Sequence, residues 1–189
     1  MPISCIQYPE SGREIEYGVL SPTKSPKSVM VVGGGPAGLK AAAVAAERGH
    51  RVTLYEASDQ LGGQALLAQK LPGREEFGGI IQNLVREAEQ AGVSLLTRSP
   101  VDVATIKAAE PDALILATGA VPYAPEIEGA DEAHVVDAWA ALNGANIGNA
   151  VVIADWHCDW VGIGLAEMLA ASGRHVRLMV NGAMPGETL

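Results

Sequence analysis

Short apolar runs alternate along the chain with Ala-rich and amphipathic stretches, a pattern typical of parallel strands joined by helices. Runs of strand length predict strands, and apolar residues at helical spacing predict helices. The predicted strands are Ser28–Val32, Arg51–Tyr55, 93–96, 113–117, 150–154 and His175–Val180. The predicted helices are 37–48, which stops at Gly49, 75–90, which Gly92 terminates, and 164–171.

Composition excludes several classes of protein. The formal net charge of −9 opposes a nucleic-acid partner, whose phosphates such a surface would repel. No apolar run reaches the roughly 18 residues that a membrane span needs, and no secretion signal is present, so we expect a cytoplasmic protein with no membrane partner. Two cysteines, Cys5 and Cys158, are too few for a disulfide framework and favour free thiols.

A glycine motif follows the first predicted strand directly. Residues 33–38 read GGGPAG and fit G-x-G-x-x-G between a strand and a helix, which is the context that a dinucleotide-binding turn requires. The first glycine allows the tight turn, the second lets a diphosphate approach the backbone, and the third lets helix and strand pack closely. Glu56 ends the next strand, 18 positions after Gly38, where an acidic side chain binds ribose hydroxyls.

Two further segments extend this candidate site. Gly62 and Gly63 lie in a loop after Glu56 that would let the backbone approach a cofactor, and Thr118-Gly119 ends a buried strand at the edge of the sheet where ligands bind. An ordinary turn is the alternative for each segment alone, and a glycine turn without a ligand is the alternative for the motif. The residues predicted to bind the cofactor are Gly33, Gly35, Pro36, Ala37, Gly38, Glu56, Ala57, Gly63, Gln64, Thr118 and Gly119.

The predicted fold is therefore α/β, with a central parallel sheet. Residues 1–27 form an extended N-terminal segment, residues 28–148 a Rossmann-like domain for FAD, or alternatively ADP, and residues 149–189 the start of a second Rossmann-like βαβ unit. The sequence presents no Ser/His/Asp set and no carboxylate pair, so we assign no catalytic residue to this chain.

Several other segments carry a resemblance to a known family. Residues 4–9 (SCIQYP) with 12–14 (GRE), residues 71–76 (LPGREE), and residues 151–156 (VVIADW) with 159–160 (DW) resemble the iron–sulfur flavoenzymes related to trimethylamine dehydrogenase and 2,4-dienoyl-CoA reductase. The similarity is greatest to the amine-demethylating branch and covers nearly the whole chain. Tyr8 stands where the family pattern has Asn.

The resemblance implies a larger enzyme. In that family an FMN-carrying (β/α)₈ barrel and a four-cysteine cluster segment precede the two Rossmann-like domains. This chain resembles the C-terminal part, as a fragment or as a subunit whose partner chain carries the barrel and the other cluster cysteines. The resemblance also implies that the complete enzyme contains FMN and a 4Fe–4S cluster and passes electrons to an acceptor similar to electron-transferring flavoprotein.

Cys5 matches the position of the family's fourth cluster ligand. A 4Fe–4S cluster needs four thiolates, so Cys5 alone cannot hold one. Two interpretations remain: Cys5 completes a cluster whose other ligands lie on another chain, or it is a free thiol near the terminus.

The second βαβ unit departs from the glycine motif. Its first strand is followed by residues 155–160 (DWHCDW), with glycines only at Gly162 and Gly164. Two carboxylates would repel a diphosphate and two indoles would block it, so we expect no ordinary NAD(P)H binding here. The spacing of Asp155, His157, Cys158 and Asp159 matches no zinc pattern, which favours a structural turn.

In the family that this chain resembles, reductases need the NAD(P)H site, whereas dehydrogenases that pass electrons to a protein acceptor do not. The leading hypothesis is therefore the dinucleotide-binding part of an N-methylamine or betaine dehydrogenase or demethylase. The alternatives are an electron-transfer subunit with redox-active FAD, an ADP-binding structural module, and part of an NADPH-dependent dienoyl-CoA-type reductase.

Overall fold

The computed structural model describes residues 5–188, so Ser4 of the first resemblance segment lies outside it. Helices and strands alternate along most of the chain, and the α/β class predicted from the sequence is confirmed. The strands are β1 (Ser28–Val32), β2 (Arg51–Tyr55), β3 (Ser94–Leu96), β4 (Ala113–Leu116), β5 (Ala150–Asp155) and β6 (His175–Val180). The helices are α1 (Glu14–Tyr17), α2 (Pro36–Glu47), α3 (Ala65–Ala68), α4 (Phe77–Gln90), α5 (Val103–Ala109), α6 (Ala138–Leu142) and α7 (Trp160–Ala171).

The chain forms two compact units. The first contains the described residues up to Leu66 together with Glu76–Gly119, and the second contains Leu67–Glu75 together with the described residues from Ala120 onward. The segment 120–148 thus groups with the second unit. The domain limits drawn from the sequence at residues 27 and 148 stay predictions.

The first unit is built on a four-stranded parallel sheet in the order β3-β2-β1-β4. The central strand β1 is buried through its middle, since Val29, Met30 and Val31 are at most 6% exposed. Helix α2 packs its small residues Ala42 and Ala43 into the same core, which α4 completes with Ile80 and other apolar side chains. All the strands are parallel, so their carboxyl ends meet at one edge of the sheet, where α/β proteins bind ligands.

The second unit contains a two-stranded parallel sheet, in which β5 pairs with β6 in register from Ala150↔His175 to Asp155↔Val180. Helix α7 connects the two strands, so this is the predicted βαβ unit. Its separate core contains Leu71, Ala141, Leu165 and Leu169.

Several helix boundaries correct the sequence predictions. Helix α7 begins at Trp160, four residues before the predicted start, because the side chain of Asp159 caps it by accepting a hydrogen bond from the Val161 N–H at 2.8 Å. The N-terminal segment, predicted as extended, contains the single helical turn α1. Helices α3, α5 and α6 were not predicted.

Within residues 5–188, no helix is both long enough and apolar enough to cross a membrane.

Candidate functional site

Two glycines hold the β1–α2 turn of the first unit together. Gly33 has a φ of +110°, and a Cβ there would overlap the carbonyl oxygen of Ala117, which follows β4. Gly38 lies in the first turn of α2, where a Cβ would overlap the carbonyl oxygen of Gly33. Only glycine permits this contact between strand, turn and helix.

The helix that follows this turn begins without a side-chain cap. Gly35 occupies the N-cap position with extended backbone, and Pro36 is the first helical residue. The first helical hydrogen bond runs from the Leu39 N–H to the Gly35 carbonyl oxygen at 3.0 Å. The N–H groups of Gly35 and Ala37 have no acceptor among the described residues. Free N–H groups at the positive end of a helix dipole form an anion-binding site.

A second glycine loop lies over the turn. The Gly62 N–H donates to the Gly34 carbonyl oxygen at 2.8 Å, and Gly62 and Gly63 both have positive φ angles, of +128° and +52°. A Cβ built on Gly35 would meet only the Gly63 Cα, at 3.9 Å, within 4 Å. The two glycines therefore leave open space between two backbone segments, which is the space that a diphosphate requires.

Glu56 follows the carboxyl end of β2, and its carboxylate faces the same turn. One carboxylate oxygen, Oε2, accepts the Gly34 N–H at 2.6 Å, while Oε1 accepts the Ser58 N–H at 2.8 Å and the Ser58 hydroxyl at 2.9 Å. Partial burial would raise the pKa of Glu56, but the hydrogen bonds from Ser58 and Gly34 outweigh it and lower the pKa below its usual value. Glu56 is therefore ionised at neutral pH.

The Glu56 carboxylate retains capacity for a ligand. A carboxylate offers about four lone-pair positions, and the protein uses three of them. The Ser58 hydroxyl also lies 2.7 Å from the Gln60 carbonyl oxygen, so it can turn away and free a position on Oε1. A ribose diol supplies the two donors that this arrangement accepts. The free amides, the open glycine space and the acidic side chain together fit the ADP half of a dinucleotide.

The remaining predicted residues lie around the same edge of the sheet. Thr118 and Gly119 follow β4. Gly119 has a φ of +74°, and a Cβ there would lie 3.4 Å from the side-chain nitrogen Nε2 of Gln64. Ala57 is exposed beside Glu56, and Ala37 is exposed at the start of α2. The structure brings the predicted residues to one place, and their contact with a nucleotide stays a prediction.

Gly34 and Ser58 of this site were missed in the sequence, and Gly62 was identified only as part of its glycine loop. Gly34 is buried, and a Cβ there would approach Leu61 Cδ2 at 2.5 Å and the Glu56 carboxylate at 3.0 Å. Gly62 is fixed by its bond to Gly34, and Ser58 by its bonds to Glu56. The Glu-x-Ser spacing is the signal that could have found Ser58, since short hydroxyl side chains commonly bond two residues away.

Cys5 is an exposed free thiol. The segment that carries it is attached to the first unit at Gln7, whose Oε1 accepts a hydrogen bond from the Asn83 side chain at 2.7 Å. Across the described part of the chain, no group of three or more His, Cys, Asp or Glu side chains could hold a metal ion. The role of Cys5 as a cluster ligand stays a prediction.

Comparison with known proteins places the chain in a family. Residues 27–186 match the family described as pyridine nucleotide-disulphide oxidoreductase. The chain belongs to this family. Members of this family bind FAD, and the relatives of this chain are flavin oxidoreductases. The prediction of a flavoprotein domain is therefore confirmed.

Three proteins illustrate what the chain is similar to. The chain is 39% identical to an N,N-dimethylglycine/sarcosine dehydrogenase of Chromohalobacter salexigens over 98% of its length and 28% of the relative. It is 42% identical to an NADH oxidase of Thermoanaerobacter brockii over 75% of its length and 22% of the relative. A solved 2-naphthoyl-CoA reductase shares 33% identity and a TM-score of 0.85, over 93% of this chain and 26% of that chain.

The resemblance to the trimethylamine dehydrogenase and dienoyl-CoA reductase family of flavoenzymes is confirmed by these matches. The chain spans about a quarter of the length of the proteins it matches.

Proposed function

We propose that this chain is the dinucleotide-binding part of a flavin- and iron–sulfur-dependent oxidoreductase, and that it holds FAD at the carboxyl edge of the first unit. The observation that carries the proposal is the uncapped start of α2, whose free amides open onto the space between Gly35 and Gly63 beside the ionised Glu56. When bound, the flavin supplies electron or hydride transfer.

Different residues of this chain bind different parts of the dinucleotide. The N–H groups of Gly35 and Ala37 bind the diphosphate, and the absence of side chains at Gly35 and Gly63 lets it approach the backbone. Glu56 accepts hydrogen bonds from the ribose hydroxyls and repels a 2′-phosphate. Thr118, Gly119 and Gln64 close the site along the sheet edge.

The substrate of the complete enzyme is an N-methylated amine or a betaine, from which a hydride is removed. The support is the 39% identity to an N,N-dimethylglycine/sarcosine dehydrogenase over almost the entire chain. The catalytic FMN barrel and the cluster then lie on a further region or a partner chain, with Cys5 as a shared cluster ligand. Electrons leave to an electron-transferring flavoprotein-like acceptor.

An adenine nucleotide without flavin, such as ADP, would use the same residues, so the test must separate the two ligands. Calorimetric titration of the protein with FAD and with ADP, and mass spectrometry of nucleotide released by denaturation, identify the natural ligand. FAD in the released fraction supports the proposal, whereas ADP alone would favour a structural nucleotide.

A matched pair of variants tests the role of Glu56. Glu56→Gln removes the charge at a hydrogen bond to ribose, so we expect FAD affinity to fall about 10-fold or more. Glu47→Gln, an exposed change at the end of α2, leaves affinity unchanged. Thermal melting of both variants checks the fold. Equal affinities for FAD in the wild type and Glu56→Gln would refute the assignment.

A further inference from the structure

The β5–α7 turn of the second unit is closed by one of its own side chains. Asp155, the last residue of β5, is 8% exposed, and its Oδ1 accepts the His157 N–H at 3.1 Å and the Cys158 N–H at 2.9 Å. Two successive backbone amides thus point at a carboxylate of the same chain. Successive amides of this kind at a strand-to-helix turn are the groups that bind a phosphate in nucleotide sites.

The two units share one packing feature and differ in the turn itself. The third residue of each helix is a glycine packed on the end of the preceding strand: Gly38 against the Gly33 carbonyl oxygen, and Gly162 against the Asp155 side chain. In the first unit the turn amides of Gly35 and Ala37 are free for a ligand. In the second unit the turn amides already bind Asp155.

The turn is also built around this carboxylate. Cys158 is a buried non-glycine residue with a φ of +54°, and its carbonyl oxygen accepts hydrogen bonds from the Thr188 N–H and hydroxyl. This left-handed conformation is unfavourable for cysteine, so the surrounding contacts hold it in place. Its effect is to direct the Cys158 N–H at Asp155 Oδ1.

The second carboxylate oxygen fills the space where a ligand would sit. Asp155 Oδ2 is buried without a hydrogen-bond partner among the described residues, and a Cβ on Gly162 would overlap it. A second carboxylate, on Asp159, caps α7 by accepting the Val161 N–H. The start of α7 therefore faces two acidic side chains, and a diphosphate would meet like charge and an occupied space.

We propose that Asp155 is an internal anion that occupies the phosphate position of the second unit and excludes a pyridine nucleotide from it. The family's name implies such a nucleotide, but the residues of this turn do not fit its diphosphate. Asp155 is thus the residue that determines specificity against NADH and NADPH. The enzyme's reducing equivalents do not enter through a pyridine nucleotide bound to this turn.

The test compares the wild type with Asp155→Asn, which keeps an oxygen acceptor for the His157 and Cys158 amides while removing the charge. Each protein is titrated with NADPH and NADH in saturating ADP, which fills the first unit's site. Hydrogen exchange over residues 155–164 then reports binding at this turn. We expect no protection in the wild type up to millimolar nucleotide, and little gain in affinity in Asp155→Asn, whose side chain still accepts the turn amides and fills the phosphate position.

A second variant and a control complete the design. Asp155→Gly removes both charge and volume and should gain at least tenfold in affinity over the wild type, whereas Asp137→Asn, at the cap of α6, should gain none. Protection of residues 155–164 by NADPH or NADH in the wild type would overturn the proposal. So would the absence of any gain in Asp155→Gly, the variant that frees both the turn amides and the space. Neither result bears on FAD binding in the first unit.

Discussion

At the scale of single residues, Gly35 and Gly38 meet different physical demands although both belong to the glycine motif. A Cβ on Gly38 would overlap the Gly33 carbonyl oxygen, whereas a Cβ on Gly35 would meet only the Gly63 Cα, at ordinary contact distance. Gly35 also has a φ of −75°, which any residue adopts. The fold therefore requires glycine at position 38, whereas at position 35 the proposed nucleotide, and not the fold, requires it.

This difference predicts opposite outcomes for two alanine substitutions. Gly38→Ala should lower the free energy of unfolding by about 1–3 kcal/mol or more, because α2 must move off the end of β1. Gly35→Ala should leave stability nearly unchanged but lower FAD affinity at least 10-fold, because the methyl group enters the diphosphate space. Chemical denaturation and calorimetry measure the two effects. Equal losses of stability in the two variants would contradict this division.

The residues of the glycine motif and Glu56 were predicted from the sequence, whereas most of the hydrogen bonds that surround them were not. Gly33, Gly38 and Glu56 were found in the sequence because the motif fixes their spacing. Gly34 was missed because its importance lies in a bond to Glu56 that forms only when β1 and β2 pair. Ser58 was missed although its bonds to Glu56 are local and join residues two positions apart. In the same way, sequence predicted repulsion from Asp155 but not that its carboxylate turns inward onto the turn amides.

At the scale of elements, three of the helix starts that were not predicted from the sequence share one feature. Helices α5, α6 and α7 each begin at an aspartate whose side chain accepts a backbone N–H of the first turn. These residues are Asp102, Asp137 and Asp159. The cap signal was present in the sequence, but α5 and α6 are only seven and five residues long, too short for a helical period to show.

The N-terminal segment, by contrast, is positioned by a charge cluster that no periodicity reveals. Lys40 of α2 contacts Glu10 of the segment at 3.0 Å and Glu87 of α4 at 3.1 Å, with side chains 17–31% exposed. Partial burial opposes the charge on Lys40, but its hydrogen bonds to Glu10 and Glu87 outweigh it and raise the pKa of Lys40. Lys40 thus attaches the Cys5-bearing segment to the helix that starts at the glycine motif.

We therefore expect Lys40→Met to loosen this segment. The change leaves two partly buried carboxylates near each other without a cation, so amide exchange over residues 7–18 should accelerate by about tenfold, or about 1.4 kcal/mol. Lys24→Met, at an exposed lysine, serves as the control and should change nothing. Adding Glu10→Gln to Lys40→Met should restore part of the protection. Unchanged exchange in Lys40→Met would show that the cluster does not hold the segment.

At the scale of the whole molecule, the two compact units have separate cores. The first core contains Val31, Leu39 and Leu54, each fully buried, and the second contains Leu71, with Leu165 among its other members. The sequence predicted a Rossmann-like domain over residues 28–148 and the start of a second βαβ unit over residues 149–189. It did not predict that Leu67–Glu75 joins the second unit, because that grouping depends on contacts between residues far apart in the chain.

Because the two cores are separate, a cavity made in one core should destabilise that unit and leave the other unit unchanged. Leu165 is 6% exposed and lies on α7, so Leu165→Ala should destabilise the second unit by about 2–5 kcal/mol. Amides of β5, α7 and β6 should then exchange faster while those of β1 and β2 keep their protection, because the first core contains none of the same residues. Leu54→Ala should give the reverse pattern, and only this variant should weaken FAD binding. If either substitution accelerates exchange equally in both units, the chain unfolds as one cooperative body and the two cores do not respond separately.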